Sequence, residues 1–421
     1  MNIALITNNF LPKKGGIANV MINITKNLGE KGEKIYVFNK SMQNENRLYF
    51  NVLSNDNSIS GMLSHNVKFL YFRFFLIFKI FLSIKNISFK ERIKLITFYC
   101  FYPKFIVRRI MSIRNLVKCF KKYKIDIILS GSANIPLFYS YILSKWFNIP
   151  MVTIAHGDDF IVQNPGKIKT HILSNIEGIV VTNRIMKKLM LKVHHVNSNK
   201  INIIHLGVDI DSSKVEGSAS ELRKRFGIKD DDFIILTVSR FYPRKGFDTV
   251  LRAIKLIVNN DPIIPIKYFI IGDGEERQNI AYLIKQLNLE DKVFLLGAVD
   301  DITKNQYYAL SDVFVLVPEV KKNSIEGFGI VYIEANFFKL PVIGSRTGGV
   351  KIAIEDGKSG FLINPKDIND LKEKILMLYN DKKLSQEIGE YGHKRVMKDF
   401  NWKKNALLYG NILESILKAY K

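Results

Sequence analysis

The sequence predicts an α/β protein of two doubly wound, Rossmann-like domains facing a deep interdomain cleft. Three observations predict it. Short apolar runs alternate with longer amphipathic stretches along most of the chain, the pattern of parallel sheet covered by helices on both faces. The alternation breaks once, in a charged, Ser-containing stretch at 209–221, and then restarts. Finally, the glycine-bearing and charge-bearing motifs each follow a predicted strand, and ligands of such sheets bind at the carboxyl ends of strands.

Residues 2–8 read as a buried strand, followed by a loop through Gly15-Gly16 and a helix over 17–29. A short strand follows at 34–38. Beyond a basic, aromatic insertion, Ile125–Ser130 is a strand and Asn134–Phe147 a helix. Met151–Ala155, Gly178–Thr182 and Ile201–His205 are further short apolar runs bounded by turn residues. After the break come strand 233–239, helix 247–258, strand 267–271, helix 275–287, strand 292–297, helix 303–310, strand 312–317, helix 328–338 and strand 342–344. Helices fill most of 367–421. The expected domains are therefore 1–208 and 209–398, with a last helix over 399–421.

Composition narrows the classes. A chain of 421 residues with 47% hydrophobic content holds two ample cores. Its cysteines, Cys100 and Cys119, form no C-x-x-C pair, which argues against a zinc ribbon or redox motif and suits a reducing cytoplasm. Met1 leads directly into the first apolar strand, without the basic leader of a signal peptide. The net charge of +24 is concentrated: Val67–Lys124 holds fifteen Lys or Arg and one acid, Glu91. This region, about 60–124, is also densely aromatic. Residues 67–84 are interrupted by Arg73 and Lys79, each costing about 2.5–3.5 kcal/mol at mid-membrane, so a surface-lying or partly buried segment is expected rather than a spanning helix. Ile106, Ile110, Ile113, Val117 and Phe120 recur at helical spacing, with Lys104, Arg108, Lys118, Lys121 and Lys122 largely off that stripe. Such a basic amphipathic helix suits an anionic membrane surface; the alternative is an ordinary helix packed on the core. No nucleic-acid motif accompanies it, so nucleic acid is not an expected partner.

Four motifs carry chemistry. Gly15-Gly16, between strand and helix, lets backbone and helix N-terminus approach a phosphate, although such a pair also serves as a plain turn. Ser239-Arg240-Phe241-Tyr242-Pro243-Arg244-Lys245-Gly246 follows an apolar strand and opens a helix, so Arg240 and Lys245 offer two cations to a diphosphate. In Glu326-Gly327-Phe328-Gly329-Ile330-Val331-Tyr332-Ile333-Glu334, the second carboxylate is expected about two helical turns on and roughly 80° around from the first, close enough to face one ligand. His156 in Ala155-His156-Gly157-Asp158-Asp159 can donate to a phosphate or sugar hydroxyl. Asp158-Asp159 lack a third ligand, so no metal site is expected, and His194-His195 read as a solvated turn. The dinucleotide fingerprint G-x-G-x-x-G is absent. Gly272-Asp273-Gly274 fails it because Arg277 holds the third glycine position.

These residues resemble the family 4 retaining glycosyltransferases, which have the GT-B fold. The resemblance rests on Gly15-Gly16, His156, His205-Leu206-Gly207-Val208-Asp209, Ser239-Arg240 with Arg244-Lys245-Gly246, Gly272-Asp273-Gly274 and the Glu326–Glu334 run, and covers nearly the whole chain. Phe400-Asn401-Trp402 resembles the family's aromatic marker before a helix that crosses back to the first domain. The resemblance implies an N-terminal acceptor domain and a C-terminal nucleotide-sugar domain. Arg240, Lys245 and the backbone at Gly15 and Gly16 would hold the donor diphosphate. Glu334 would take the ribose, with Phe328 and Gly329 beside the donor ribose and sugar. Glu326 would meet the transferred sugar, His156 the sugar or its phosphate, and Val299 the base.

The expected donor is a UDP- or GDP-sugar, with no cofactor. The expected acceptor is a glycolipid or lipid-linked saccharide, met at the inner face of the cell membrane by a cytoplasmic, peripheral enzyme of polysaccharide synthesis. Leu206 departs from the Asn common at that position in relatives, which reads as a structural change. Competing readings are a catalytically silent membrane-binding or scaffold subunit, a sugar-nucleotide epimerase or phosphorylase of similar fold, and a dinucleotide oxidoreductase, the last weakened by the missing fingerprint.

Overall fold

The computed structural model describes residues 1–10, 15–42, 48–51, 110–161, 167–208, 219–321 and 324–421. Two compact units emerge, Met1–His205 with Trp402–Lys421, and Leu206–Asn401. The division falls three residues before the expected break after 208, and the C-terminal helix joins the first unit. The segment 67–84, and with it Lys104 and Arg108, lies outside the described residues.

In the first unit the strands are β1 (Asn2–Thr7), β2 (Lys34–Met42), β3 (Leu48–Asn51), β4 (Ile127–Ser130), β5 (Met151–Ala155), β6 (Gly178–Val181) and β7 (Ile201–Ile203). They form one sheet in the order β3-β2-β1-β4-β5-β6-β7. All neighbours are parallel except β2 and β3. Strands β4, β5 and β6 are buried at every residue. That explains their nearly continuous apolar runs, since both faces are covered by helices. The helices are α1 (Gly16–Glu30), α2 (Ile110–Tyr123), α3 (Ile135–Phe147), α4 (Asp158–Ile161), α5 (Lys167–Ser174) and α6 (Arg184–His194).

At the end of α2 the stripe meets the core. Phe120 is buried, its ring 5.6 Å from Phe38 and 5.3 Å from Phe147. Tyr123 stacks on Tyr36 at 4.4 Å. This part of the stripe is committed to the core and cannot also enter a leaflet, which corrects the membrane-facing expectation for Phe120. Lys118, Lys121 and Lys122 remain exposed on the outer face.

The second unit is a six-stranded parallel sheet: β8 (Phe233–Val238), β9 (Ile266–Ile271), β10 (Val293–Gly297), β11 (Val313–Leu316), β12 (Val342–Ser345) and β13 (Gly360–Ile363). Their order is β10-β9-β8-β11-β12-β13, the doubly wound order that reverses direction between β8 and β11. Helices α7 (Ala219–Arg225), α8 (Phe247–Asn260), α9 (Arg277–Gln286), α10 (Asp301–Leu310), α11 (Ile330–Phe337), α12 (Val350–Ala353), α13 (Ile368–Asn380) and α14 (Lys382–Asp399) follow in order. Helix α8 shows why the elements form as they do. Phe247, Val250, Leu251, Ile254 and Ile257 are among its buried positions, spaced as one apolar face of a helix, and they join Phe233, Ile235 and Tyr268 of the sheet in one core. Each such side chain contributes roughly 1.5–3 kcal/mol on burial.

The last helix, α15 (Trp402–Tyr420), packs in the first unit. The Asn405 side chain donates to the His205 carbonyl at 2.9 Å, and a Cβ on Gly178 would stand 2.7 Å from Ile416. Leu206, the departure noted above, is buried at 8% exposure, which fits a structural role.

Candidate active site

Parallel strands put all their carboxyl ends on one edge of a sheet. The loop after β8 (239–246) and the loop after β11 (317–329) therefore emerge side by side at the point where the strand order of the second unit reverses. Their backbones are stitched together, with Glu319 N–H donating to the Arg244 carbonyl at 2.7 Å.

Here three charged side chains meet. Arg244 Nη1 lies 2.9 Å and Lys245 Nζ 2.6 Å from the same oxygen, Glu326 Oε2. The three side chains are 11%, 11% and 13% exposed, in that order. Burial alone would push the Glu326 carboxyl up, but Lys245 and Arg244 outweigh it and hold it at about 2. The group is an ionised carboxylate with two cations, a cluster of net positive charge.

The glutamate loop is held from behind by a second glycine loop, after β12. Gly349 N–H donates to the Glu326 carbonyl at 2.8 Å. A Cβ on Gly349 would stand 2.0 Å from the Gly327 carbonyl oxygen, so only glycine permits this approach. The sequence reading missed Gly348-Gly349; a paired glycine shortly after an apolar strand was the available signal.

Glu326 lies in the loop before α11, where a helical 80° relation to Glu334 does not apply. Glu334 sits inside α11 at 7% exposure with partners of its own. Tyr308 Oη donates to its Oε2 at 3.1 Å, and Lys304 Nζ lies 3.5 Å from its Oε1. Burial would pull the Lys304 ammonium down, but Glu334 and Asp301 outweigh it and raise it. Burial, aided by Glu334, pushes the Tyr308 phenol well up. Lys304 and Tyr308 were not foreseen, although their i, i+4 spacing places them on one face of α10.

Other expected residues fall as follows. Arg240 is exposed, its Nη1 3.4 Å from the Tyr242 hydroxyl. It is not part of the cluster; Arg244 takes the place beside Lys245. Phe328 is buried with its ring edge-on to Phe400 at 5.6 Å, which leaves ligand contact at this position to the backbone. Gly329 is the left-handed N-cap of α11. Val299 is half-buried beside Asp300, whose carboxylate caps α10 through Thr303 N–H at 2.8 Å. Gly272 explains its own motif: a Cβ there would lie 1.8 Å from the Ser239 carbonyl oxygen, so the glycine lets the 272–274 loop support the 239–246 loop.

In the first unit, Gly15 is the N-cap of α1 and Gly16 its exposed first residue. His156 follows β5, with Nε2 3.0 Å from the Gly131 carbonyl oxygen. Asp159 organises this turn. Its Oδ1 accepts from the N–H groups of His156 and Gly157 at 2.9 and 3.0 Å, and its Oδ2 from Ala133 N–H at 2.8 Å. The buried Lys169 donates to the Asp159 carbonyl at 2.6 Å. Asp159 is thus occupied as a backbone acceptor, and among the described residues no group of three or more His, Cys, Asp or Glu stands together as for a metal. His194 corrects the solvated-turn reading. It is fully buried, with Nδ1 2.9 Å from the Thr170 hydroxyl and Nε2 3.0 Å from the Phe160 carbonyl oxygen, and burial pulls it down. Only His195 is exposed.

Two family models tile this chain. "Glycosyltransferase Family 4" matches residues 14–212, and "Glycosyl transferases group 1" matches residues 218–395, which hold the Glu326 cluster. The chain belongs to glycosyltransferase family 4. This transferase is 28% identical to the N-acetyl-alpha-D-glucosaminyl L-malate synthase of Bacillus anthracis over 276 residues, 65% of this chain and 70% of that one. It is 27% identical to the UDP-Gal:alpha-D-GlcNAc-diphosphoundecaprenol alpha-1,3-galactosyltransferase of Escherichia coli over 290 residues, 66% of this chain and 73% of that one. Among solved structures, a glycosyltransferase from Rickettsia africae aligns with TM-score 0.73 at 20% identity, covering 99% of this chain and 98% of its own. Sucrose-phosphate synthase from Thermosynechococcus elongatus aligns with TM-score 0.73 at 21% identity, covering 99% of both chains. The fold is GT-B. Among the described residues no helix is long and apolar enough to cross a membrane.

Proposed function

We propose that this transferase moves a hexose, with retention at the anomeric carbon, from a UDP- or GDP-sugar to a membrane-borne glycolipid or lipid-linked saccharide. The observation that carries the reading is the buried Arg244–Glu326–Lys245 cluster. Its net positive charge stands where the strand order reverses, the position at which doubly wound sheets take anionic ligands.

In this reading Arg240 and Lys245 take the donor diphosphate, joined by the backbone at Gly15 and Gly16. Glu334 takes the ribose hydroxyls, with the backbone at Phe328 and Gly329 near the donor and Val299 near the base. Glu326 meets the transferred sugar, and His156 meets that sugar or its phosphate. The bond from the anomeric carbon to the diphosphate oxygen breaks, a bond to the acceptor oxygen forms on the same face, and the acceptor's proton leaves with the nucleoside diphosphate. The chain's contribution is electrostatic, with fixed cations placed where leaving-group charge develops. No metal is needed if those cations supply the compensation, so activity is expected to survive chelation by EDTA.

The acceptor class is supported by the basic, aromatic sequence at 60–124 and by the lipid-linked acceptor in the name of the Escherichia coli relative. Both favour a cytoplasmic enzyme peripheral on the inner face of the membrane, in cell-surface polysaccharide synthesis.

The test is nucleoside diphosphate release from UDP-, GDP- and ADP-sugars, with and without extracted bacterial lipids and with and without EDTA, beside Glu326→Ala. Release with one donor, stimulated by lipid, resistant to EDTA and lost in the variant, is expected, with the anomeric configuration of the product read by NMR. Release by no donor, from folded protein that floats with anionic vesicles, would overturn the proposal in favour of a silent membrane-binding subunit.

A further inference from the structure

We propose that Arg244 is a positioning residue, the resident counter-ion of Glu326, whose task is to keep the carboxylate paired when Lys245 leaves it for the donor diphosphate. This rests on the functional reading above.

The geometry carries the proposal. Arg244 Nη1 and Lys245 Nζ address a single oxygen, Glu326 Oε2, at 2.9 and 2.6 Å. Were Lys245 the sole partner, an arriving diphosphate would compete with Glu326 for one buried ammonium. Binding would then strand a carboxylate that is only 13% exposed, and a buried charge that loses its partner is strongly destabilising. With Arg244 present, the lysine can be withdrawn and a one-to-one ion pair remains.

The two cations also suit different tasks. Guanidinium is planar and permanently charged, and keeps a carboxylate in a fixed orientation, whereas an ammonium on a flexible stem transfers readily between oxygens. Arg244 is held on its backbone as well, its carbonyl accepting from Glu319 N–H at 2.7 Å. The arginine is therefore anchored to the end of β11, on the same loop that carries Glu326. Arg240, exposed at the start of its loop, has no carboxylate partner to give up among the described residues and is available to the diphosphate directly.

The experiment is calorimetric binding of the nucleoside diphosphate found in the release assay to wild type, Arg244→Ala, Arg244→Lys, Glu326→Gln and the double variant Arg244→Ala/Glu326→Gln, together with kcat and KM for the donor. Arg244→Ala is expected to bind about tenfold more weakly, because Lys245 is then retained by Glu326. Arg244→Lys keeps most of the affinity. The double variant regains wild-type affinity, since no carboxylate is left to hold the lysine, yet transfers no sugar. A merely structural arginine would not be rescued by removing the carboxylate. Equal affinity of Arg244→Ala and wild type, or a double variant as weak as Arg244→Ala, overturns the inference. Failure of wild type to bind any nucleoside diphosphate overturns the functional reading instead.

Discussion

Neutralising Glu326 should remove a defined part of the acid sensitivity of the second unit. The carboxyl is held at about 2 against an ordinary value of 4.5. A native value below the unfolded one means that the unfolded chain takes up the proton first. The stabilisation is thus complete above the unfolded value and is lost as pH falls through 4.5 toward 2. The shift is equivalent to about 3 kcal/mol, of which about 2 kcal/mol is gone by pH 3. At 13% exposure the carboxylate is shielded from solvent, so no large discount for screening applies. Glu326→Gln keeps the shape and removes the titration. The assay is urea unfolding of both proteins at pH 7, 4 and 3, followed by far-UV circular dichroism and by hydrogen exchange of peptides from 233–246 and 326–337. Urea is uncharged and leaves the ion pairs unscreened. Tryptophan fluorescence is unsuitable, because Trp146 and Trp402 both lie in the first unit. The stability difference between the two proteins should shift by about 2 kcal/mol between pH 7 and pH 3. A difference independent of pH would refute the reasoning, since Glu326 would then carry the same proton in the folded and unfolded chain.

Two further expectations follow from how the loops are held. In Gly272→Ala the new Cβ would stand 1.8 Å from the Ser239 carbonyl oxygen, at a φ of +140°. The 239–246 loop must shift, so donor affinity should fall at least tenfold, with a drop in melting temperature of several degrees; unchanged donor binding by calorimetry would contradict this. Asp159→Ala should leave nucleoside diphosphate affinity within twofold and lower kcat on the order of 10- to 100-fold, because it releases the three N–H groups that fix the His156 turn. Full turnover in a steady-state assay would show that His156 needs no such support.

The fold was legible because its strands are buried on both faces. Runs such as Phe233–Val238 and Met151–Ala155 are apolar but for one threonine each, and their spacing by amphipathic helices leaves little choice but a doubly wound sheet. Less was legible where one local pattern served two purposes. The stripe ending at Phe120 has the same periodicity whether it meets a leaflet or a core, and at Phe120 only the contacts with Phe38 and Phe147 decide. The pair His194-His195 looked polar and exposed, yet α6 ends between them: His194 faces inward to Thr170, while His195 takes the left-handed turn outside. In the candidate site, the sequence singled out Lys245, Glu326 and Glu334 by spacing along the chain. It named Arg244 within its motif but gave it no role, and it was silent on Lys304 and Tyr308, because their importance comes from what stands opposite them, 82, 30 and 26 residues away.

That distinction bears on how the carboxylates of the Glu326–Glu334 run are used. They are close in sequence but are held by different elements and in different chemical states of readiness. Glu334 is engaged at both oxygens by α10, through a neutral phenol and a single ammonium, a balanced arrangement fit for presenting fixed acceptors to neutral hydroxyls. Glu326 is engaged at one oxygen by two cations, an unbalanced arrangement that an added anion would relieve. The charge surplus therefore belongs to the loop after β8 and not to the glutamates. Moving it should move the anion affinity: Lys245→Ala, which leaves Arg244 and Glu326 as a neutral pair, should abolish diphosphate binding while sparing the low Glu326 pKa in part. Tight diphosphate binding by that variant would place the anion site elsewhere on the chain.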